Sequence, residues 1–186
     1  MAMVKMQIHE GGRCDFIENL RKRQVRVGVE IGTYNGENAT VLCKAVPTLE
    51  ILYCIDPYQS DIEGYNDFVN DPQLVQECRA SLIQALIDAK CIRGELFRCS
   101  SREAIGIIST KPLVDFVYID ANHDLDHVRE DIALWSSRVR VGGIIAGHDF
   151  GHGYLGSVVP AVMEFTEKNS LSLHVFKQDD IWCCIK

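Results

Sequence analysis

Between Tyr118 and His127 the chain reads YIDANHDLDH, and positions 148 and 149 are His-Asp. The apolar run FVYI ends abruptly in Asp120, with His123 three residues later and no lysine or arginine in the segment to neutralise its acids. Carboxylates gathered with imidazoles support two kinds of chemistry. Oxygen-rich sets bind divalent cations, magnesium foremost with manganese or calcium as alternatives, and an imidazole brings iron or zinc into range. A histidine with an ordinary pKa of about 6.5 also exchanges protons near neutral pH. Asp120, His148 and Asp149 are therefore the candidate metal ligands, and His123, beside Asp120, is the candidate proton acceptor.

A second set lies upstream. Glu30-Ile31-Gly32-Thr33-Tyr34-Asn35-Gly36 follows the β-branched run VRVGVEI and leads into the helical segment ATVLCKAV. Gly32 and Gly36 permit a tight turn in which backbone N–H groups and a helix N-terminus approach a ligand closely. Asp56 closes the next apolar run, ILYCID, about twenty residues beyond Gly36, where an acid can accept both hydroxyls of a ribose. Together they imply a nucleoside ligand. Glu30, an acid inside the first run, would repel a pyrophosphate, and the spacing lacks the G-x-G-x-x-G of dinucleotide sites.

Positioning these residues is the task of alternating elements. Strands are predicted over residues 25–31, 51–56, ELFRCS, 113–120 and GGIIAGHD. Between them lie helical CDFIENLRKR, ATVLCKAV, residues 72–90, REAIGII and LDHVREDIALWSSRV, then SVVPAVMEFTEKN, with LSLHVF and DIWCCI as a last strand pair around KQDD. This order predicts one α/β domain over residues 1–186: a doubly wound, Rossmann-like sheet, mostly parallel with an antiparallel edge strand and helices on both faces. Ligands of such sheets sit outside the carboxyl ends of the strands. Each of these candidate residues lies at or just beyond such an end.

Composition narrows the function classes. The formal net charge is −7 and the only basic cluster, residues 21–26, falls at a predicted helix end, so a nucleic-acid or acidic-membrane partner finds no broad basic face. The eight cysteines show no CxxC pair or zinc spacing and read as small core residues in a reducing, cytoplasmic setting. No run approaches the ~20 apolar residues of a membrane span. Apolar edge strands are compatible with a homodimer.

The pattern Glu-x-Gly-x-x-x-Gly, with Tyr34 where a middle glycine is usual, resembles motif I of class I S-adenosylmethionine (SAM) dependent methyltransferases. Y-I-D-x-x-H followed by R-V-G-G-I-I-x-x-H-D is similar to the metal-dependent O-methyltransferases of the catechol and macrocin type, closer to the macrocin branch, over about residues 25–150. The resemblance implies that Glu30, Gly32, Thr33, Tyr34, Gly36, Asp56 and Asp120 hold SAM, that Ser100 and Ser101 meet its adenine, and that Asp120 and His148-Asp149 hold the metal. His123 stands where the catechol enzymes carry a lysine base. The implied reaction is methyl transfer to a small-molecule hydroxyl, whose deprotonation a bound dication assists. Residues 57–72, with Tyr58, Tyr65 and Phe68, and residues 150–156, with Tyr154, are loops long or glycine-rich enough for a lid.

Other readings stay open on these residues: a metal-free methyltransferase, a metal-dependent oxygenase or hydrolase using Asp120, His148 and Asp149 directly, and a non-catalytic nucleoside-binding module. Asp124 and Asp126 are expected to answer a helix N-terminus, His127 to be solvated and Asp115 to be structural or a neighbour of a ligand. His152 reads equally as a surface residue or a substrate contact. His9 and His174 lie outside every candidate pocket.

Overall fold

The structure, a computed structural model, describes residues 5–58, 93–151 and 157–186. The helix expected over 72–90, His152, and the loop aromatics Tyr65, Phe68 and Tyr154 lie outside the described residues. In chain order the elements are β1 (Met6–His9), α1 (Arg13–Lys22), β2 (Val27–Ile31), α2 (Glu37–Ala45), β3 (Ile51–Ile55), β4 (Arg93–Phe97) and α3 (Ser101–Ile108). They continue as β5 (Val114–Ile119), α4 (Leu125–Ser136), β6 (Val139–Gly147), α5 (Val158–Lys168), β7 (Leu173–Phe176) and β8 (Ile181–Ile185).

The strands form one eight-stranded sheet in the order β1-β7-β8-β6-β5-β2-β3-β4. From β6 to β4 every pairing is parallel. The antiparallel strand is β8, which pairs with β6 on one side and β7 on the other. Beyond it the sheet continues through β7 to β1, an outer strand from MQIH that the sequence pattern did not mark, because its exposed residues carry no strong apolar run.

Central strands buried on both faces require apolar residues at successive positions rather than alternate ones, and VGVEI, ILYCI and VDFVYI supply them. One face packs Phe116 and Tyr118 of β5 against Phe16 and Leu20 of α1 and Leu42 of α2. The other packs Val117 and Ile119 against Ile108 of α3, Trp135 of α4 and Val162 of α5. Helices thus cover both faces, as expected. The described cysteines are free thiols, and Cys43, Cys54, Cys183 and Cys184 are buried. Among the described residues no helix is long and apolar enough to cross a membrane.

The chain steps outward from β2 to β3 and β4, then returns to place β5 on the other side of β2. That reversal is the switch point at which open α/β sheets leave a crevice. At the opposite end of the sheet, Asp115 accepts the N–H groups of Arg26 (2.6 Å) and Val27 (2.8 Å) and pairs with Arg140, so its role is structural. The basic cluster is likewise spent on the fold: Arg21 donates to the Ala45 carbonyl and Arg26 forks onto Glu50.

Candidate active site

Register places the candidate residues in one row. Phe97, Ile55, Ile31, Ile119 and Gly147 are successive partners across β4, β3, β2, β5 and β6. The next residue on four of these strands is Asp56, Gly32, Asp120 or His148. The ladder runs one step past the strands: Gly32 N–H donates to the Ile55 carbonyl (2.8 Å), Asp120 N–H to Ile31 (2.8 Å) and His148 N–H to Ile119 (3.1 Å). Above the row opens a cavity of about 720 Å³. Gly32, Thr33 and Tyr34 form its floor, and Asp56, Asp120 and His123 stand in its wall.

Gly32 has φ +84°, and a Cβ there would meet the Asp120 carbonyl oxygen at 1.9 Å. The turn after β2 and the end of β5 touch backbone to backbone. Tyr34 adopts φ +46°, the left-handed conformation for which glycine is the easy residue. Its N–H donates to Asp56 Oδ2 (2.8 Å) and its carbonyl accepts the Tyr58 hydroxyl (2.5 Å), which hold the turn without a glycine. Gly36, at φ +78°, is the N-cap of α2 and is not among the residues lining the cavity. Asp56 Oδ1 accepts the Tyr58 N–H (2.9 Å), and a carboxylate oxygen that accepts one amide retains capacity for a hydroxyl. Burial raises the Asp56 pKa against the lowering effect of those amides.

Glu30 is 1 % exposed. Its Oε1 accepts the Asn38 amide (2.7 Å), while its buried Oε2 has only the neighbouring Thr33 hydroxyl, which is not aligned for a hydrogen bond. Burial, opposed by Asn38 and Thr33 and reinforced by Asp120 and Asp56, pushes the Glu30 pKa up to about 8. An unsatisfied acid of this kind fits a cationic ligand group, which restores the partner it lacks. It also weakens the ligand-free fold. The unfolded chain loses this proton near pH 4.5 and the folded protein near 8, so stability falls as pH rises through that window, by about 3 kcal/mol at pH 7. Glu30→Gln keeps the bond from Asn38 and removes the penalty. Denaturant unfolding at pH 5.5 and 7.5 is expected to show that the variant's stability advantage over the parent grows as pH rises, with weakened binding of cationic ligands.

On the other side of the row, His123 Nε2 lies 2.7 Å from Asp149 Oδ2 and 3.7 Å from Asp120 Oδ1. The 2.7 Å approach is an ion pair in which the N–H is not aligned on the oxygen. Ligand atoms of Asp120, His123 and Asp149 all lie within 4.8 Å of one another, a spacing that can hold a cation. His148 is not in that group: its Nδ1 is turned onto Asp149 Oδ2 at 3.3 Å, which raises its pKa. The set brought together is thus two carboxylates and His123, with His148 behind Asp149. Asp149 sits at φ +59°, a strained conformation for a non-glycine residue. Burial would raise its pKa, yet His123 and His148 hold its carboxyl well below the usual carboxylate range.

For His123 the unperturbed pKa does not survive. Burial opposes its charge, but Asp120 and Asp149 outweigh that and lift it to about 9. The ring accepts a proton at neutral pH only when another positive charge answers those carboxylates, which a dication in the same cluster does.

Ser100 and Ser101 line the cavity, with hydroxyls already engaged. Ser100 caps α3 through a reciprocal capping box with Glu103, and Ser101 Oγ accepts the Trp135 indole N–H (2.7 Å). Asp124 is the N-cap residue of α4 but makes no side-chain cap bond, and Asp126 pairs with Arg129. His127 is exposed on the cavity rim. Sequence reasoning missed Arg13, Asn38 and Asp131, which also line the cavity. Asp131 did leave a signal: it shares the buried face of α4 with Val128, Ile132 and Trp135. Its pKa rises to about 6, burial prevailing over its bond with Ser101.

A family model described as a methyltransferase domain matches residues 29–150, and the chain belongs to that family. The match begins in β2 and ends just past Asp149, so it contains the whole row of site residues. Solved structures share the fold. An O-methyltransferase from Bacillus cereus in complex with SAH superposes with a TM-score of 0.67 at 14% identity, over 96% of this chain and 83% of that one. A putative caffeoyl-CoA O-methyltransferase from Staphylococcus aureus gives 0.69 at 12%, over 93% and 81%. The O-methyltransferase TomG from Streptomyces achromogenes, in complex with SAM, gives 0.62 at 17%, over 91% and 76%. The protein is a methyltransferase by family, with the Rossmann-like fold of these O-methyltransferases.

Proposed function

We propose that the protein transfers the methyl group of SAM to a hydroxyl of a small molecule, assisted by a divalent cation, magnesium by preference, in the cytoplasm. The observation that carries this reading is the row itself: the glycine turn, the ribose acid Asp56, and Asp120 with His123 open onto one cavity, with Asp149 and His148 outside its lining. SAM supplies an activated methyl on a sulfonium that needs only to be held in line. Asp56 receives the ribose hydroxyls, Glu30 and Thr33 answer the cationic methionine part, and the wall from Ser100 to Asp131 faces the adenine. Asp120 and Asp149 would hold the cation, which when bound would lower the pKa of the acceptor hydroxyl. His123, its charge opposed in that state, takes the hydroxyl proton, and Asp149 with His148 behind it fixes the ring. A pair of carboxylates suits a hard dication such as magnesium better than a soft one.

Calorimetric titration with SAM tests the first part, and methyl transfer to a panel of catechols and sugar alcohols before and after chelation tests the second. Binding of SAM together with turnover lost on chelation and restored by magnesium is the expected result. Absence of binding heat overturns the reading, and turnover unaffected by chelation removes the cation from it.

A further inference from the structure

We infer that Arg13 is the carboxylate-binding cation of the cavity and grips the methionine carboxylate of the cofactor; the inference rests on the methyltransferase reading above. The cavity is acidic: Glu30, Asp56, Asp120 and Asp131 all line it. A SAM molecule brings two positive charges that suit those acids and one carboxylate that does not, so some cation must answer that group. Two arginines line the wall. Arg102 is already paired with Glu130. Arg13, among the described residues, has no side-chain hydrogen bond or ion pair, and its Nε is buried without a partner.

Its backbone is nevertheless fixed. Arg13 is the first residue of α1, and its N–H donates to Asp179 Oδ2 at 2.6 Å, which ties this helix start to the turn before β8. A buried donor without a partner, lining the same cavity as an acid suited to an ammonium group, fits an amino-acid end group whose carboxylate takes the fork of the guanidinium.

The test is a cycle of ligand truncation and mutation read by calorimetry. S-adenosylhomocysteine carries the amino-acid end, and 5′-methylthioadenosine lacks it. Arg13→Gln is expected to weaken S-adenosylhomocysteine roughly tenfold to a hundredfold and to leave 5′-methylthioadenosine unchanged, with Arg13→Lys in between. Equal affinities of the variant and the parent for both ligands overturn the inference, as does equal weakening of both, which marks general damage to the cavity. Should Arg13→Gln not fold, Arg13→Lys carries the same comparison. Failure of the parent protein to bind either ligand overturns the methyltransferase reading instead, so the two failures are distinguishable.

Discussion

Asp120→Asn is expected to lower methyl transfer roughly 10³-fold while leaving the fold intact. Its backbone role is independent of the side chain: the N–H donates to the Ile31 carbonyl and its own carbonyl packs under Gly32, whichever side chain is present. The carboxylate itself has three tasks. It is one of the three groups within cation-binding distance, it flanks His123 at 3.7 Å, and it forms the cavity wall next to the glycine turn. An amide in its place keeps the shape but loses the charge, so the cation loses a ligand and the acceptor hydroxyl keeps its proton. Turnover measured with saturating magnesium, beside a thermal midpoint and a calorimetric SAM titration, separates these roles. A large fall in kcat with the midpoint and SAM affinity nearly unchanged is the expected pattern. Retention of more than about a tenth of parental turnover places the chemistry elsewhere.

Gly32→Ala is expected to abolish cofactor binding and destabilise the protein by about 3 kcal/mol or more. The added methyl falls 1.9 Å from the Asp120 carbonyl oxygen and 2.8 Å from the Ala121 Cα, both backbone atoms, and φ +84° disfavours any side chain. Relief requires the ends of β2 and β5 to move apart at the switch point, which breaks the Asp120-to-Ile31 hydrogen bond and displaces the turn that carries Thr33 and Tyr34. Gly106→Ala is the control. Gly106 lies inside α3 with nothing within 4 Å of its Cβ position, so alanine there is expected to stabilise by about 0.5–1 kcal/mol. Denaturant unfolding of both variants with S-adenosylhomocysteine titrations checks the pair. Normal affinity in Gly32→Ala means that the turn is not the cofactor floor.

Much of this arrangement was legible in the chain. Strands buried on both faces need unbroken apolar runs, and the runs ending at Ile31, Ile55 and Ile119 announce themselves. Chain connectivity alone fixes the residue after each run, so Gly32, Asp56 and Asp120 could be assigned to strand ends from the sequence. The acid in the first run was visible too, although its missing partner was not. Whether Glu30 Oε2 finds a donor depends on where α2 places Asn38, and that is decided by packing.

The sequence by itself determined the alternation of strand and helix, the glycine turn and the chemistry available at each strand end, because apolar periodicity and backbone permissiveness are properties of neighbouring residues. Tertiary structure decided which of those groups meet. His123 and not His148 completes the carboxylate pair, because Asp149 turns through a left-handed backbone and directs its oxygen at both rings. Arg13, more than a hundred positions before Asp120, enters the cavity only because α1 packs across β5 with Phe16 against Tyr118. Side-chain direction and long-range contact are set by register and packing, and neither leaves a period in the chain to be read.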